Sequence, residues 1–217
     1  MRLRIIVLIA LTAAFIAVGI SITEHAFTNV DRLVAHWFEQ RITAARTVFA
    51  FVITQFGSDI FILAATACVA LYVRKRSRYW LERVLITVIG GMVLNEILKF
   101  IFYRKRPDFG HPLLHLSSNS FPSGHTVSVT VFFGMVIILT RFLNKSKFVR
   151  FAVTSASLVM IVLVAASRIY LGVHYFSDVV GGFLEALAWM TAVGIMLDRK
   201  YQTSISETRR YGTTGSS

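Results

Sequence analysis

Lys99-Phe-Ile-Phe-Tyr-Arg-Lys-Arg-Pro107, Phe121-Pro-Ser-Gly-His125 and Ser167-Arg-Ile-Tyr-Leu-Gly-Val-His-Tyr-Phe-Ser-Asp178 are three polar islands in an otherwise apolar stretch. Each stands at the end of a run long enough to cross a hydrocarbon core, which takes about 20 helical residues. Basic side chains and histidines are costly to bury idly in such surroundings. Their placement therefore predicts a bundle of membrane helices whose ends bring the three islands together.

The rest of the chain fits that frame. Of its 217 residues 55% are hydrophobic and only 16% are charged, whereas soluble domains carry roughly 45–50% and about 25%. Six apolar runs are expected to span: Ile5–Ile22, Thr47–Val73, Trp80–Tyr103, Gly124–Phe142, Phe148–Leu171 and Asp178–Leu197. The first follows Met1-Arg-Leu-Arg4 and exceeds the usual signal-peptide core of about 7–15 residues, so it is read as a retained helix. In the second, Gly57-Ser58-Asp59 marks the effective start, because Ser and Asp favour helix N-termini. The expected fold class is all-α, an integral membrane bundle of six transmembrane helices. It forms one domain over residues 1–200, followed by a polar cytoplasmic tail over 201–217; the segment from Asp198 on is read as unstructured.

Between the first two spans, Val30, Leu33, Val34, Trp37, Phe38 and Ile42 recur at helical spacing, with Asp31, Arg32, Glu39 and Gln40 read as opposite them. A loop helix packed on the bundle and an extracytoplasmic interfacial helix near substrate entry fit this stripe equally. Cys68, the single cysteine, excludes an intrachain disulfide.

A net charge of +12 raises the possibility of nucleic acid as partner. Its distribution argues against this, because the Lys and Arg residues cluster between apolar runs. Counted on alternate sides, fifteen fall on one side and eight on the other. The positive-inside bias then predicts both termini in the cytoplasm and all three islands on the extracytoplasmic side of the cell membrane.

The islands carry residue types suited to phosphate. Lys99 and Arg106, seven residues apart, are expected on one helical face about two turns apart, with Pro107 ending the helix. Arg presents a planar fork to phosphate oxygens and Lys a mobile point charge. Arg104 and Lys105 are read as snorkelling to headgroups. Ser123 and Gly124 open the fourth span, where free backbone N–H groups favour an anion, and His125 follows in the first turn as a candidate proton donor. Asp178, four residues after His174, is placed to accept the imidazole Nδ1–H and leave Nε2 as nucleophile, although it also suits a helix cap. Arg168 adds a third cation. Phosphoryl transfer calls for positioned cations and N–H donors around an in-line displacement, and this set meets that need without an obvious metal.

The pattern Lys-x6-Arg-Pro, Pro-Ser-Gly-His and Ser-Arg-x5-His-x3-Asp, here Lys99–Pro107, Pro122–His125 and Ser167–Asp178, resembles the signature of the type 2 phosphatidic acid phosphatase superfamily in its membrane branch. The resemblance implies a metal-independent lipid phosphatase with no cofactor. In it His174 attacks phosphorus to form a phosphohistidine, Asp178 orients it and His125 protonates the leaving group. Lys99, Arg106, Ser123, Gly124 and Arg168 hold the phosphate. Phosphatidylglycerophosphate and related phosphatidate-type lipids are the implied substrates, with undecaprenyl pyrophosphate as the alternative. Membrane lipids are the surroundings, and no nucleic acid or obligate protein partner is indicated.

An anion or lipid transporter is the competing class. Transporters place their site near the midplane, often with repeats, and no repeat is visible here. Haloperoxidase chemistry, also known in the wider superfamily, belongs to soluble relatives. His111 and His115 invite a zinc site, but Pro112 disrupts a helix between them and no His-Glu-x-x-His pattern accompanies them. They are read as lining the mouth or facing solvent. Glu185, Asn95 and Glu96 are assigned to the bundle interior, Glu185 as a hydrogen-bonded or protonated carboxyl.

Overall fold

A computed structural model describes residues 1–107, 113–114, 118–144 and 146–212. Its elements are α1 (Arg2–Thr23), α2 (Thr28–Glu39), α3 (Ala44–Thr54), a 3₁₀ turn (Gln55–Gly57), α4 (Asp59–Arg74), α5 (Arg78–Phe102), α6 (Gly124–Leu143), α7 (Lys147–Tyr170) and α8 (Phe176–Gly212). No strand occurs among the described residues. Five helices, α1, α5, α6, α7 and α8, are individually long and apolar enough to cross a membrane. The expected second span is broken instead: α3 with its 3₁₀ turn meets α4 at 46°. Ser58 caps α4, its hydroxyl accepting from the Phe61 N–H, so the Gly-Ser-Asp stretch does start a helix, with a shorter helix before it.

α6 is the hub. Seven consecutive residues, Thr126 to Phe132, are buried around its whole circumference, as expected for a helix surrounded by others. Val127, Val131 and Phe132 pack with Ile62 of α4, Val88 of α5 and Ala186 of α8. Val129 meets Ile53 of α3 and Ile161 and Val164 of α7. Large side chains such as Ile60, Phe100, Phe148 and Phe151 point outward, which costs nothing where the surrounding solvent is hydrocarbon.

Phe121 fixes where α6 begins. It is fully buried, stacked on Phe15 of α1 (5.7 Å between centroids) and edge-on to Phe102 of α5 (4.8 Å). The far end of the bundle is pinned by charge: Asp198 of α8 accepts from Arg4 and Tyr79, and Lys200 reaches Glu82 at 2.7 Å.

Two expectations need correction. The segment read as unstructured from Asp198 continues as helix to Gly212, because adding turns to an existing helix avoids the cost of nucleating one. α2 does form and is amphipathic, but its register differs. Asp31, placed on the polar face, is buried, whereas Val30, Leu33 and Trp37 are exposed. Val34 and Phe38 pack on Ile169 of α7 and Val179 of α8. Asp31 shares their face of the helix, three residues before Val34.

Candidate active site

The C-terminal ends of α5 and α7 and the N-terminal ends of α6 and α8 meet at one end of the bundle. Between them lies a cavity of about 790 Å³ lined by Lys99, Arg106, Gly124, His125, Arg168 and His174. The three islands, up to 79 residues apart in sequence, are therefore adjacent in space.

Lys99 and Arg106 reach this cavity by a route other than two turns of one helix. α5 ends at Phe102; Tyr103 takes a left-handed conformation (φ 46°) and caps it. Residues 103–107 then leave the helix. The residue before a proline is pushed toward extended backbone, which is why the helix stops short of Arg106. Ser120 N–H donates to the Arg104 carbonyl (2.8 Å) and ties this segment to the approach to α6.

Arg106 is held at four points. Its Nε and Nη2 donate to the carbonyl and hydroxyl of Ser118, both at 2.8 Å. Its Nη1 lies 2.7 Å from the Val173 carbonyl and 3.2 Å from His174 Nε2. His174 Nδ1 faces Asp178 Oδ2 at 3.3 Å. A carboxylate only accepts, so the network assigns the proton to Nδ1 and leaves a lone pair on Nε2. Burial pushes His174 down from the ordinary 6.5 to about 4, against the opposing pull of Asp178, so the ring is neutral at neutral pH.

Asp178 is fully buried and saturated. Besides His174 it accepts from the Ser120 hydroxyl, the Tyr175 N–H (2.9 Å) and Arg104. Its carboxylate thus reaches both the start of α8, through the Tyr175 N–H, and the His174 imidazole. Its carbonyl accepts from Ser123 N–H (3.1 Å), joining the second and third islands directly.

Arg168 is 2% exposed. Its Nη1 donates to Thr54 at the end of α3 (2.7 Å), while Nε has no partner among the described residues. A buried, partly unsatisfied guanidinium on a cavity wall is a ready donor for an anion. His125 stands opposite the break between α3 and α4: a Cβ on Gly57 would lie 3.3 Å from its Cβ and Cδ2, and 2.6 Å from Val164 Cγ1. The bare glycine lets the turn between α3 and α4 close over the histidine.

Of the remaining sequence candidates, Ser123 is fully buried and does not line the cavity; its hydroxyl accepts from Thr126 (3.0 Å) and makes no cap bond. Gly124 does line it. A Cβ there would sit 2.9 Å from Lys99 Nζ and 3.1 Å from Asn95 Oδ1. Gly124→Ala is accordingly expected to push the Lys99 ammonium away from its place on the cavity wall. KM should rise by roughly tenfold, the scale of one charge-assisted hydrogen bond, with a smaller change in kcat, as steady-state kinetics would show.

Glu185 is buried, with Oε2 accepting from Asn95 Nδ2 (2.9 Å) and Oε1 unpartnered among the described residues. Lys99 pairs with Glu96. No group of three His, Cys, Asp or Glu side chains placed to hold a metal occurs among the described residues, and His111 and His115 lie outside them.

Arg104 overturns its snorkelling assignment. It donates to Asp178, to Ser177 Oγ (2.8 Å) and to Asp31 (2.9 Å), and stacks over Tyr175. Asp31, Ser118 and Ser120 were not singled out by the motifs, because each is tied to the site only by tertiary contacts. Asp31 alone left a trace, as an acid on the same helical face as Val34 and Phe38.

Comparison with known proteins places this geometry. A sequence profile of the PAP2 superfamily matches residues 79–203. Phosphatidylglycerophosphatase B of Bacillus subtilis (strain 168) is 35% identical over 136 residues, 60% of this chain and 65% of that protein, so the chain spans just under two thirds of its length. An undecaprenyl-diphosphatase of Sulfolobus acidocaldarius is 27% identical over 151 residues, 67% of this chain and 68% of that one. The crystal structure of a transmembrane PAP2 type phosphatidylglycerolphosphate phosphatase from Bacillus subtilis superposes with a TM-score of 0.76 at 28% identity, over 88% of this chain and 96% of that one. That likeness and the apolar helices make this a multi-pass membrane protein. With more than half of the sequence inside the family profile and the Bacillus subtilis fold matched along most of its length, the chain belongs to the PAP2 superfamily.

Proposed function

We propose that the chain is a metal-independent lipid phosphate phosphatase acting on phosphatidylglycerophosphate and related phosphatidate-type lipids. One observation carries this: the cavity is lined by two chemically different sets of side chains. Lys99, Arg106, Arg168, His125 and His174 form one set, and Val93, Ile97, Phe100 and Ile101 of α5 form the other. The last four are exposed on the outside of the bundle. A phosphate seated among the cations leaves its lipid chains along the apolar wall, next to hydrocarbon.

In the proposed reaction Arg106, Arg168 and Lys99 hold the nonbridging oxygens with the Gly124 backbone. His174 Nε2 forms a bond to phosphorus as the bond to the lipid oxygen breaks, and His125 gives that oxygen its proton. Water, yielding a proton to His125, then attacks phosphorus; the P–N bond breaks and phosphate leaves. Arg106, whose Nη1 lies 3.2 Å from Nε2, turns to the phosphate and frees the nucleophile. The charge that develops on the equatorial oxygens meets donors already in place, the usual source of rate in phosphoryl transfer.

The membrane setting belongs to the same proposal. α3 and α4 together make a broken sixth span, α2 lies at the extracytoplasmic interface, and both termini are cytoplasmic in the cell membrane. The Lys and Arg bias and the placing of the site at the end opposite the Arg4–Asp198 cluster support this orientation.

Purified protein in detergent with EDTA should release inorganic phosphate from phosphatidylglycerophosphate. A side-by-side panel with phosphatidate and undecaprenyl pyrophosphate decides the substrate, and preference for the pyrophosphate would favour the alternative. Lipid movement across sealed vesicles without hydrolysis would sink the enzymatic assignment.

A further inference from the structure

Asp31 lies on α2, far in sequence from the three islands and outside the cavity wall, yet it is 1% exposed. Its Oδ1 accepts from the Ser177 backbone N–H (2.9 Å). Its Oδ2 accepts from the Ser177 hydroxyl (2.7 Å) and from Arg104 Nη2 (2.9 Å). Both carboxylate oxygens are engaged, and all the donors belong to residues in contact with or adjacent to Asp178.

Arg104 is the link. Its Nη2 binds Asp31 while its Nη1 binds Asp178 Oδ1, so one guanidinium bridges a buried carboxylate on α2 and another on α8. The ring of Tyr175, 4.0 Å from the guanidinium carbon, closes the remaining face. Asp178 Oδ1 is the oxygen turned away from His174; Oδ2 is the one that faces Nδ1. Arg104 therefore sets the rotation of the Asp178 carboxylate from behind, and Asp31 sets the orientation of Arg104. Hydrogen-bond partners behind metal-ligating histidines and carboxylates act in this way, and their loss costs about 10- to 100-fold in affinity or activity; the same orienting physics applies to a carboxylate-held imidazole.

We propose that Asp31, through Arg104 and Ser177, is a positioning residue for the Asp178–His174 pair, so that the seating of α2 is part of the catalytic apparatus. Two consequences follow physically. With both carboxylates present, the Arg104 charge is shared and Asp178 remains a strong acceptor for the His174 Nδ1–H. With Asp31 neutralised, Arg104 has Asp178 as its only anionic partner among the described residues; it shifts toward Oδ1, and the pull of its full charge weakens the acceptor facing the His174 Nδ1–H. The outward side of α2, with Val30, Leu33 and Trp37 exposed, then couples the position of the helix to the site without touching substrate.

The proposal rests on the phosphatase assignment above, and the test separates the two. Asp31→Asn keeps the shape and removes the charge. It should lower kcat on a lipid phosphate by about tenfold with KM within about twofold. Arg104→Gln should cost at least as much, and the double variant no more than Arg104→Gln alone, since residues acting as one unit are not additive. Arg104→Lys, retaining charge but not the fork, guards against a variant that fails to fold. In protein carrying ring-¹⁵N histidine, wild type should show His174 protonated at Nδ1, and Asp31→Asn should shift or broaden that signal. A wild type that releases no phosphate would overturn the assignment, while the displaced Nδ1 signal would still support the relay. Unchanged kcat per folded molecule together with unchanged His174 resonances would overturn the relay; so would strictly additive single losses confined to the yield of folded protein.

Discussion

Replacing His174 by alanine is expected to remove phosphate release by on the order of 10⁴- to 10⁶-fold, the scale on which enzymes lose a nucleophile. The expectation rests on the lone pair at Nε2, which the hydrogen bond from Nδ1 to Asp178 leaves pointing at Arg106 and the cavity. His36 also has Nδ1 near a carboxylate, Glu39 at 3.7 Å, but it is exposed and outside the cavity lining. Wild type mixed briefly with ³²P-labelled substrate and quenched in alkali, where phosphohistidine survives and acyl phosphates do not, should carry label that the variant lacks. Label retained in His174→Ala would move the nucleophile elsewhere. The pH profile gives a second handle. Since burial places His174 near 4 instead of 6.5, the neutral nucleophile persists well into acid. The acid limb of kcat/KM assigned to this group should lie near pH 4; activity is present above that value and lost as pH falls through it. The same shift makes the unfolded chain bind the extra proton first, so the folded state loses stability as pH drops from about 6.5 toward 4. An acid limb fixed at 6.5 and insensitive to Asp178→Asn would contradict the geometry.

Arg168→Met should have the next largest effect and an unusual combination of signs. Arg168 is almost fully buried, donates to the neutral Thr54 hydroxyl, and has no partner for Nε among the described residues. A buried cation without a carboxylate partner destabilises the fold, and replacing such charges by apolar groups of similar size is commonly neutral or stabilising. The variant should therefore unfold at the same temperature or higher, while kcat falls by about 10²–10³-fold, the cost of one donor to developing oxyanion charge. Orthovanadate should raise the unfolding temperature of the wild type and do so much less in the variant. A variant that loses stability and activity together would mean that Arg168 is a structural strut.

Much of the site is visible in the chain itself. The identities of Lys99, Arg106, His125, Arg168, His174 and Asp178 follow from a simple inequality: burying a charge or imidazole at the end of an apolar run is costly unless it has work to do. Apolar length predicts six spans, and five of these stretches are single helices long enough to cross a membrane. The break between α3 and α4 announces itself only as Gly57-Ser58-Asp59. Whether the chain bends there depends on what lies across the gap, and the 46° turn is compatible with Gly57 meeting Val164 and His125 without a side chain.

The network behind the histidine was not legible, for a different reason. Arg104 and Arg106 are alike in composition, charge and local setting. That both turn inward, Arg106 to the cavity and Arg104 behind Asp178, was decided by Tyr103, whose left-handed cap redirects the backbone, and by Asp31 and Asp178, which lie some 70 residues away on either side. Hydrogen bonds of that range depend on how helices dock, and a sequence carries no periodic signal for them.

By itself, then, the sequence determined the solvent this protein folds in and the cations and imidazoles it places at helix ends, because the free energy of transferring apolar and charged groups is a property of each residue. Tertiary structure decided which side of α2 faces inward, which arginine backs Asp178, and that Ser123 and Gly124, neighbours in the chain, part company at the cavity wall. Those choices turn on distances of a few ångströms between elements that only close packing can set.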